Sequence, residues 1–139
     1  MSERTFRMRM HCAYQGNNNA VDELVVEHHT QGRWQSLALD TATPGFDIFV
    51  YSVLTCQHLY FRVNCAERGL MLDSATGSIE VGADADWNIE SLRIEFDGRL
   101  GCGQASQQII DALVERMRQC PVSRNLRAIP AAVTRVSLG

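Results

Sequence analysis

Lysine is missing from this chain, and all 13 basic residues are arginine. Its absence excludes Schiff-base catalysis, the phosphate-gripping lysine of a Walker A loop and a Ser–Lys dyad. Positive charge is not in excess either. The formal net charge is −3, so there is no electrostatic case for nucleic acid or an anionic membrane surface. Long uninterrupted apolar runs are lacking as well. The longest apolar stretch, residues 46–64, contains Asp47, Gln57, His58, Arg62 and Asn64, whereas a spanning helix needs about 20 mostly apolar residues with few charges. An even cysteine count is also missing: five cysteines cannot form a fully paired disulfide framework. The opening Met1-Ser-Glu-Arg-Thr-Phe6 has no apolar centre of the signal-peptide kind. A reducing cytoplasm is therefore expected, with any disulfide transient and catalytic.

The residues that are present describe one domain, 1–139, in which a chain of this length buries roughly 68% of its unfolded surface. Phe6, Met8, Met10 and Cys12 alternate with Arg7, Arg9 and His11, the period of a strand over residues 5–14. Turn residues at 16–19 and 30–33 separate it from strands over 21–28 and 34–39, which suggests an antiparallel meander. Residues 46–68 read as a long helix. The segment is too long for one strand, has no internal Gly or Pro, and stops at Gly69. Being apolar nearly all round, it is expected to be buried on most faces. Strands follow over 70–82 and 89–96, then a glycine-rich loop over 97–103. A second helix spans 104–119, with Ile109, Ile110, Leu113, Val114 and Met117 forming one stripe. Pro121 favours a new helical turn over 122–127, and residues 132–138 close as a strand. This order of strands and helices is α+β in class.

Two thiols carry the chemical interest. Cys56 lies inside the long helix, with Phe49, Ser52, Val53, Leu59, Tyr60 and Val63 on its face. That surround is apolar, with two hydroxyls as polar points, and it raises a thiol's pKa unless a cation compensates. An inert buried cysteine fits the same pattern. Cys120 precedes Pro121, so either it caps a short helix, whose N–H groups favour thiolate, or it marks a helix break. Cys65 is nine residues from Cys56, about 180° around the helix, and His58 lies about 200° away, so neither joins Cys56 in a metal site or a Cys–His dyad. His58 is expected to contact another element or a second subunit. The neighbours His11–Cys12 and His28–His29 point to opposite faces of strands and form no metal clamp. Arg116, Arg118, Arg124 and Arg127 cluster near Cys120 in sequence. They read as a solvated face from which one cation could lower a thiol's pKa. No cofactor signature is present.

The order of elements, the cysteine in the central helix within Thr43-Pro-Gly-Phe-Asp-Ile-Phe-Val-Tyr-Ser-Val-Leu-Thr-Cys56, and the late Cys120-Pro-Val-Ser-Arg-Asn-Leu126 resemble the OsmC/Ohr superfamily. The resemblance implies an intertwined homodimer with long helices packed between sheets. It implies that Cys56 is the peroxidatic thiol and Cys120 the resolving thiol of a peroxidase, acting on organic hydrophobic hydroperoxides in oxidative stress defence. An external dithiol would reduce the resulting disulfide. The peroxidase members carry an Arg in the early glycine-rich turn and a Glu after the Pro preceding the helix. Here the turn reads Gln15-Gly-Asn-Asn-Asn19, the nearest carboxylate is Asp47, and Arg33 in the next turn is the candidate substitute. Tyr51, Val53 and Leu54 are bulkier than the family's residues before the first cysteine. These departures leave room for an alternative, a non-catalytic dimer that binds a small hydrophobic ligand or senses redox state.

Overall fold

The computed structural model describes residues 3–126 and 129–139. Six strands form one sheet: β1 (Arg4–Gln15), β2 (Ala20–Thr30), β3 (Arg33–Ser36), β4 (Met71–Ala83), β5 (Ile89–Cys102) and β6 (Ala131–Leu138). Their order is β3-β2-β1-β4-β5-β6. All pairs are antiparallel except β5–β6, which is parallel. Among the described residues there are three helices: α1 (Gly45–Glu67), α2 (Gln107–Arg118) and α3 (Pro121–Arg124). The α+β class and the β1–β2–β3 meander agree with the sequence reading.

The period of two along β1 sets the two faces of the sheet. Met8, Met10, Cys12 and Tyr14 are buried, whereas Arg7, Arg9 and His11 are exposed. Registers carry the buried row across the sheet: Met8 lies opposite Ile79, Ile79 opposite Ile94, and Gly77 opposite Phe96. The helices cover this face, and Val50, Val53, Leu54 and Phe61 of α1 complete the core with Leu113 and Met117 of α2. Each such side chain contributes about 1.5–3 kcal/mol on burial. At the other end of α1, the rings of Phe6, Phe46 and Trp87 pack together, with centroids 4.5–5.8 Å apart, and pin the helix start to β1 and the β4–β5 turn.

The end of α1 is a Schellman motif. Gly69 N–H donates to Ala66 O at 3.0 Å, Leu70 N–H donates to Cys65 O at 2.9 Å, and Gly69 takes φ +71°. Asn19, fully buried, ties the early turn to the same place. Its Nδ2 donates to Leu70 O at 2.9 Å and Arg62 O at 3.1 Å, and its Oδ1 accepts from Leu72 N–H at 2.8 Å.

Several expectations are corrected. Residues 97–103 are not a loop, because β5 continues to Cys102. Gly98 is there for close packing: a Cβ on it would stand 2.7 Å from Leu138 Cδ2 and 3.2 Å from Phe61 Cζ. The third strand ends at Ser36, and the second helix begins at Gln107, where the Ser106 hydroxyl accepts from Ile109 N–H. The long helix is buried or half-buried on most faces, as expected, and leaves one stripe open, where Ile48, Leu59 and Val63 are 39%, 44% and 36% exposed. The short helix expected over 122–127 is Pro121–Arg124, and Arg127 lies outside the described residues.

Candidate functional site

α3 presents its N-terminal turn to the middle of α1, where Cys56 lies. Cys120 is the N-cap of α3, Pro121 is its first residue, and Ser123 N–H donates to Cys120 Sγ at 3.3 Å. This is the capping arrangement that the Cys-Pro-x-Ser pattern implies. All five cysteines are free. Cys120 is fully buried and Cys56 is partly exposed.

The Cys56 and Cys120 side chains are neighbours, and Cys120 and the Val122 backbone N–H both act on the Cys56 thiol. Its pKa is pushed up to about 11, first by burial and then by the hydrogen bond to Cys120, with Val122 N–H pulling the other way. Among the described residues, no guanidinium is one of the groups acting on it. Two of the candidate cations serve other places in the fold. Arg116 donates to Asn64 Oδ1 at 3.2 Å, docking α2 on α1, and Arg33 opens β3 at the sheet edge. The early turn serves the fold joint through Asn19, and Asp47 belongs to the first turn of α1.

A polar chain backs the thiol pair, and sequence reasoning missed most of it. Cys120 Sγ lies 3.0 Å from Ser123 Oγ, which accepts from Gln57 Nε2 at 2.8 Å. Gln57 Oε1 accepts from Thr134 Oγ1 at 3.2 Å. Gln57 is only 2% exposed. A glutamine within an apolar run was the one available signal, since a buried amide must find partners. A cavity of about 370 Å³ adjoins this chain, lined in part by Gln57, Ser123, Leu126 and Thr134. A larger cavity of about 640 Å³ lies across the sheet, among Arg9, His11, Glu27 and Arg135, away from both thiols.

A second polar cluster occupies the core side of α1. The Tyr14 hydroxyl and His58 Nε2 share a 2.7 Å hydrogen bond, and His58 stacks on Phe96. His58 thus contacts another element, as expected from its place on the helix. Burial, with help from Arg62, lowers its pKa to about 4. Burial raises the Tyr14 phenol far above its ordinary value, with Cys12 adding to the rise, and raises the neighbouring Cys12 thiol. Cys65 is pushed up to about 12 by burial, against the pull of Arg68. His11 and His29 lie on the exposed face of the sheet, where His29 packs edge-on against Trp34.

Among the described residues, no helix is long and apolar enough to cross a membrane. The family described as OsmC-like protein matches residues 39–134, more than half of the chain. No curated protein matches the chain significantly. Solved structures share the fold at low identity. A hypothetical protein from Aquifex aeolicus VF5 superposes with a TM-score of 0.59 at 7% identity, covering 94% of each chain. An OsmC-like hydroperoxide resistance protein from Jannaschia sp. CCS1 superposes at 0.56 and 15% identity, covering 88% of this chain and 87% of its own. An OsmC-like protein from Mycoplasma pneumoniae superposes at 0.54 and 8% identity, covering 93% and 94%.

Proposed function

The chain belongs to the OsmC-like family, and we propose that within it the chain is a thiol-dependent reductase of hydrophobic organic hydroperoxides that works through Cys56 and Cys120. One observation supports the reading: two free cysteines from different elements, 64 positions apart in the chain, lie close enough for one thiol to act on the other. The reaction follows from that proximity. The Cys56 thiolate attacks the terminal oxygen of the hydroperoxide. The O–O bond breaks, the alkoxide leaves and takes a proton, and Cys56 becomes a sulfenic acid. The Cys120 sulfur then attacks the Cys56 sulfur, water departs, and a disulfide forms. An external dithiol returns both sulfurs to the reduced state. The hydroperoxide resistance relative from Jannaschia is consistent with this chemistry at the level of the family.

The reading includes a homodimer in the cytoplasm, acting in oxidative stress defence. The exposed apolar residues of α1, Ile48, Leu59 and Val63, support a partner surface there. Burial holds the Cys56 thiol protonated at neutral pH, so its thiolate is a minor fraction. A cation from the second subunit would raise that fraction. The test is a thiol count: one equivalent of an alkyl hydroperoxide consumes two thiols per chain, faster than hydrogen peroxide does. Sluggish reaction at both Cys56 and Cys120 contradicts the proposal.

The absence of a guanidinium acting on Cys56 among the described residues favours a second reading, a dimer that binds a small apolar ligand or senses redox state without turnover. An apolar molecule co-purifying with the protein, in the absence of peroxide consumption, distinguishes it.

A further inference from the structure

Resting on that reading, we infer that Gln57 and Ser123 are positioning residues that make Cys120 the leaving sulfur when the Cys56–Cys120 disulfide is reduced, so that the external dithiol attacks Cys56. Ser123 Oγ lies 3.0 Å from Cys120 Sγ, and the Ser123 backbone N–H donates to the same sulfur at 3.3 Å. A hydroxyl has one proton and two acceptor lone pairs. Gln57 Nε2 occupies one lone pair at 2.8 Å. In the dithiol form, the Cys120 S–H donates to the other. When Cys120 carries negative charge, the hydroxyl proton turns to the sulfur while Gln57 keeps its place. Buried and held by Thr134 at its other end, Gln57 fixes the hydroxyl that must turn.

A thiolate leaving on Cys120 therefore meets two donors already in position. A thiolate leaving on Cys56 meets one, the Val122 N–H. Access points the same way. Cys56 is partly exposed and Cys120 is fully buried, and thiol–disulfide exchange depends both on which sulfur can be reached and on which leaves better.

The steps balance. One thiolate of the dithiol attacks Cys56 Sγ, the Cys56–Cys120 bond breaks, and the electron pair departs on Cys120 Sγ. The second thiolate of the reductant attacks the reductant's own sulfur in the mixed disulfide, releasing Cys56 and leaving the reductant as its disulfide. The two protons lost by the dithiol end on Cys56 and Cys120.

The experiment starts from protein oxidised with diamide, so no step depends on hydroperoxide turnover. A Cys102→Ser background removes the exposed thiol at the end of β5. Excess glutathione is added, the mixture is quenched in acid, and the adduct is located by peptide mass mapping. Glutathione on Cys56 with Cys120 free is the expected result, and glutathione on Cys120 overturns the inference. Ser123→Ala is expected to slow reduction by dithiothreitol about threefold to tenfold and to move part of the adduct to Cys120, and Ser123→Thr to restore both. An unchanged rate and adduct position in Ser123→Ala also overturn it. Should that variant not fold, the adduct position in the parent still decides. Failure of diamide to bridge the pair overturns the proposed function as well, whereas a bridged pair attacked at Cys120 overturns this inference alone.

Discussion

One helix carries two thiols in opposite chemical settings. Cys56 and Cys65 both lie on α1, nine residues and about half a turn apart in angle. Cys56 faces α3, is partly exposed and has a second thiol and the Val122 backbone N–H acting on it. Cys65 faces the sheet, is fully buried, and is held as a neutral thiol with a pKa of about 12. Around Cys65, Tyr14 and His58 are also held uncharged by burial. The lesson is that burial alone makes a cysteine inert, and a paired, reachable thiol arises only where another element brings a sulfur and donors together.

The sharpest way to break this comparison is to remove one thiol from each side. Cys56→Ser or Cys120→Ser abolishes disulfide formation with an alkyl hydroperoxide, whereas Cys65→Ser leaves it intact, as read by free-thiol titration. The next largest effect belongs to the packing that separates the two sides. Phe61 is fully buried and stacks on Phe96 with centroids 5.0 Å apart, so Phe61→Ala costs about 3–5 kcal/mol in denaturant unfolding. His58 sharpens the inert side through pH. Its folded pKa of about 4 is below the unfolded 6.5. The unfolded chain therefore binds a proton first as the solution is acidified. The stability this group contributes is complete above pH 6.5 and is lost as pH falls from 6.5 towards 4, by about 3 kcal/mol in all. A stability profile flat over that window contradicts a buried neutral imidazole. The smallest effect is Tyr14→Phe, which leaves His58 Nε2 without its 2.7 Å partner and costs about 1–3 kcal/mol.

Much of this layout was legible in the order of residues. The end of α1 was marked by Gly69, because only a residue tolerant of positive φ closes a Schellman motif cheaply. Pro121 left two choices for Cys120, a cap or a helix break, and the structure has the cap. Local signals of this kind have their cause and effect a few residues apart. The misread stretch at 97–103 shows the limit. Glycines there resemble a turn, yet Gly98 is small because Leu138 and Phe61 crowd it from distant parts of the chain. The polar chain behind the thiols was equally hidden. Gln57 finds Ser123 66 residues away and Thr134 77 residues away, and neither pairing leaves a trace in spacing. The exposed apolar stripe of α1 was hidden because hydrophobicity signals burial without naming what does the burying.

The central claim is that Cys56 and Cys120 form one redox unit. Its most direct measurement is peptide mass mapping of the protein after one equivalent of an alkyl hydroperoxide. The account predicts a single new Cys56–Cys120 disulfide, two hydrogens lighter than the two reduced peptides, with Cys12 and Cys65 still free. Oxidation that stops at a sulfenic or sulfinic Cys56 while Cys120 keeps its thiol, or a disulfide joining other cysteines, contradicts it.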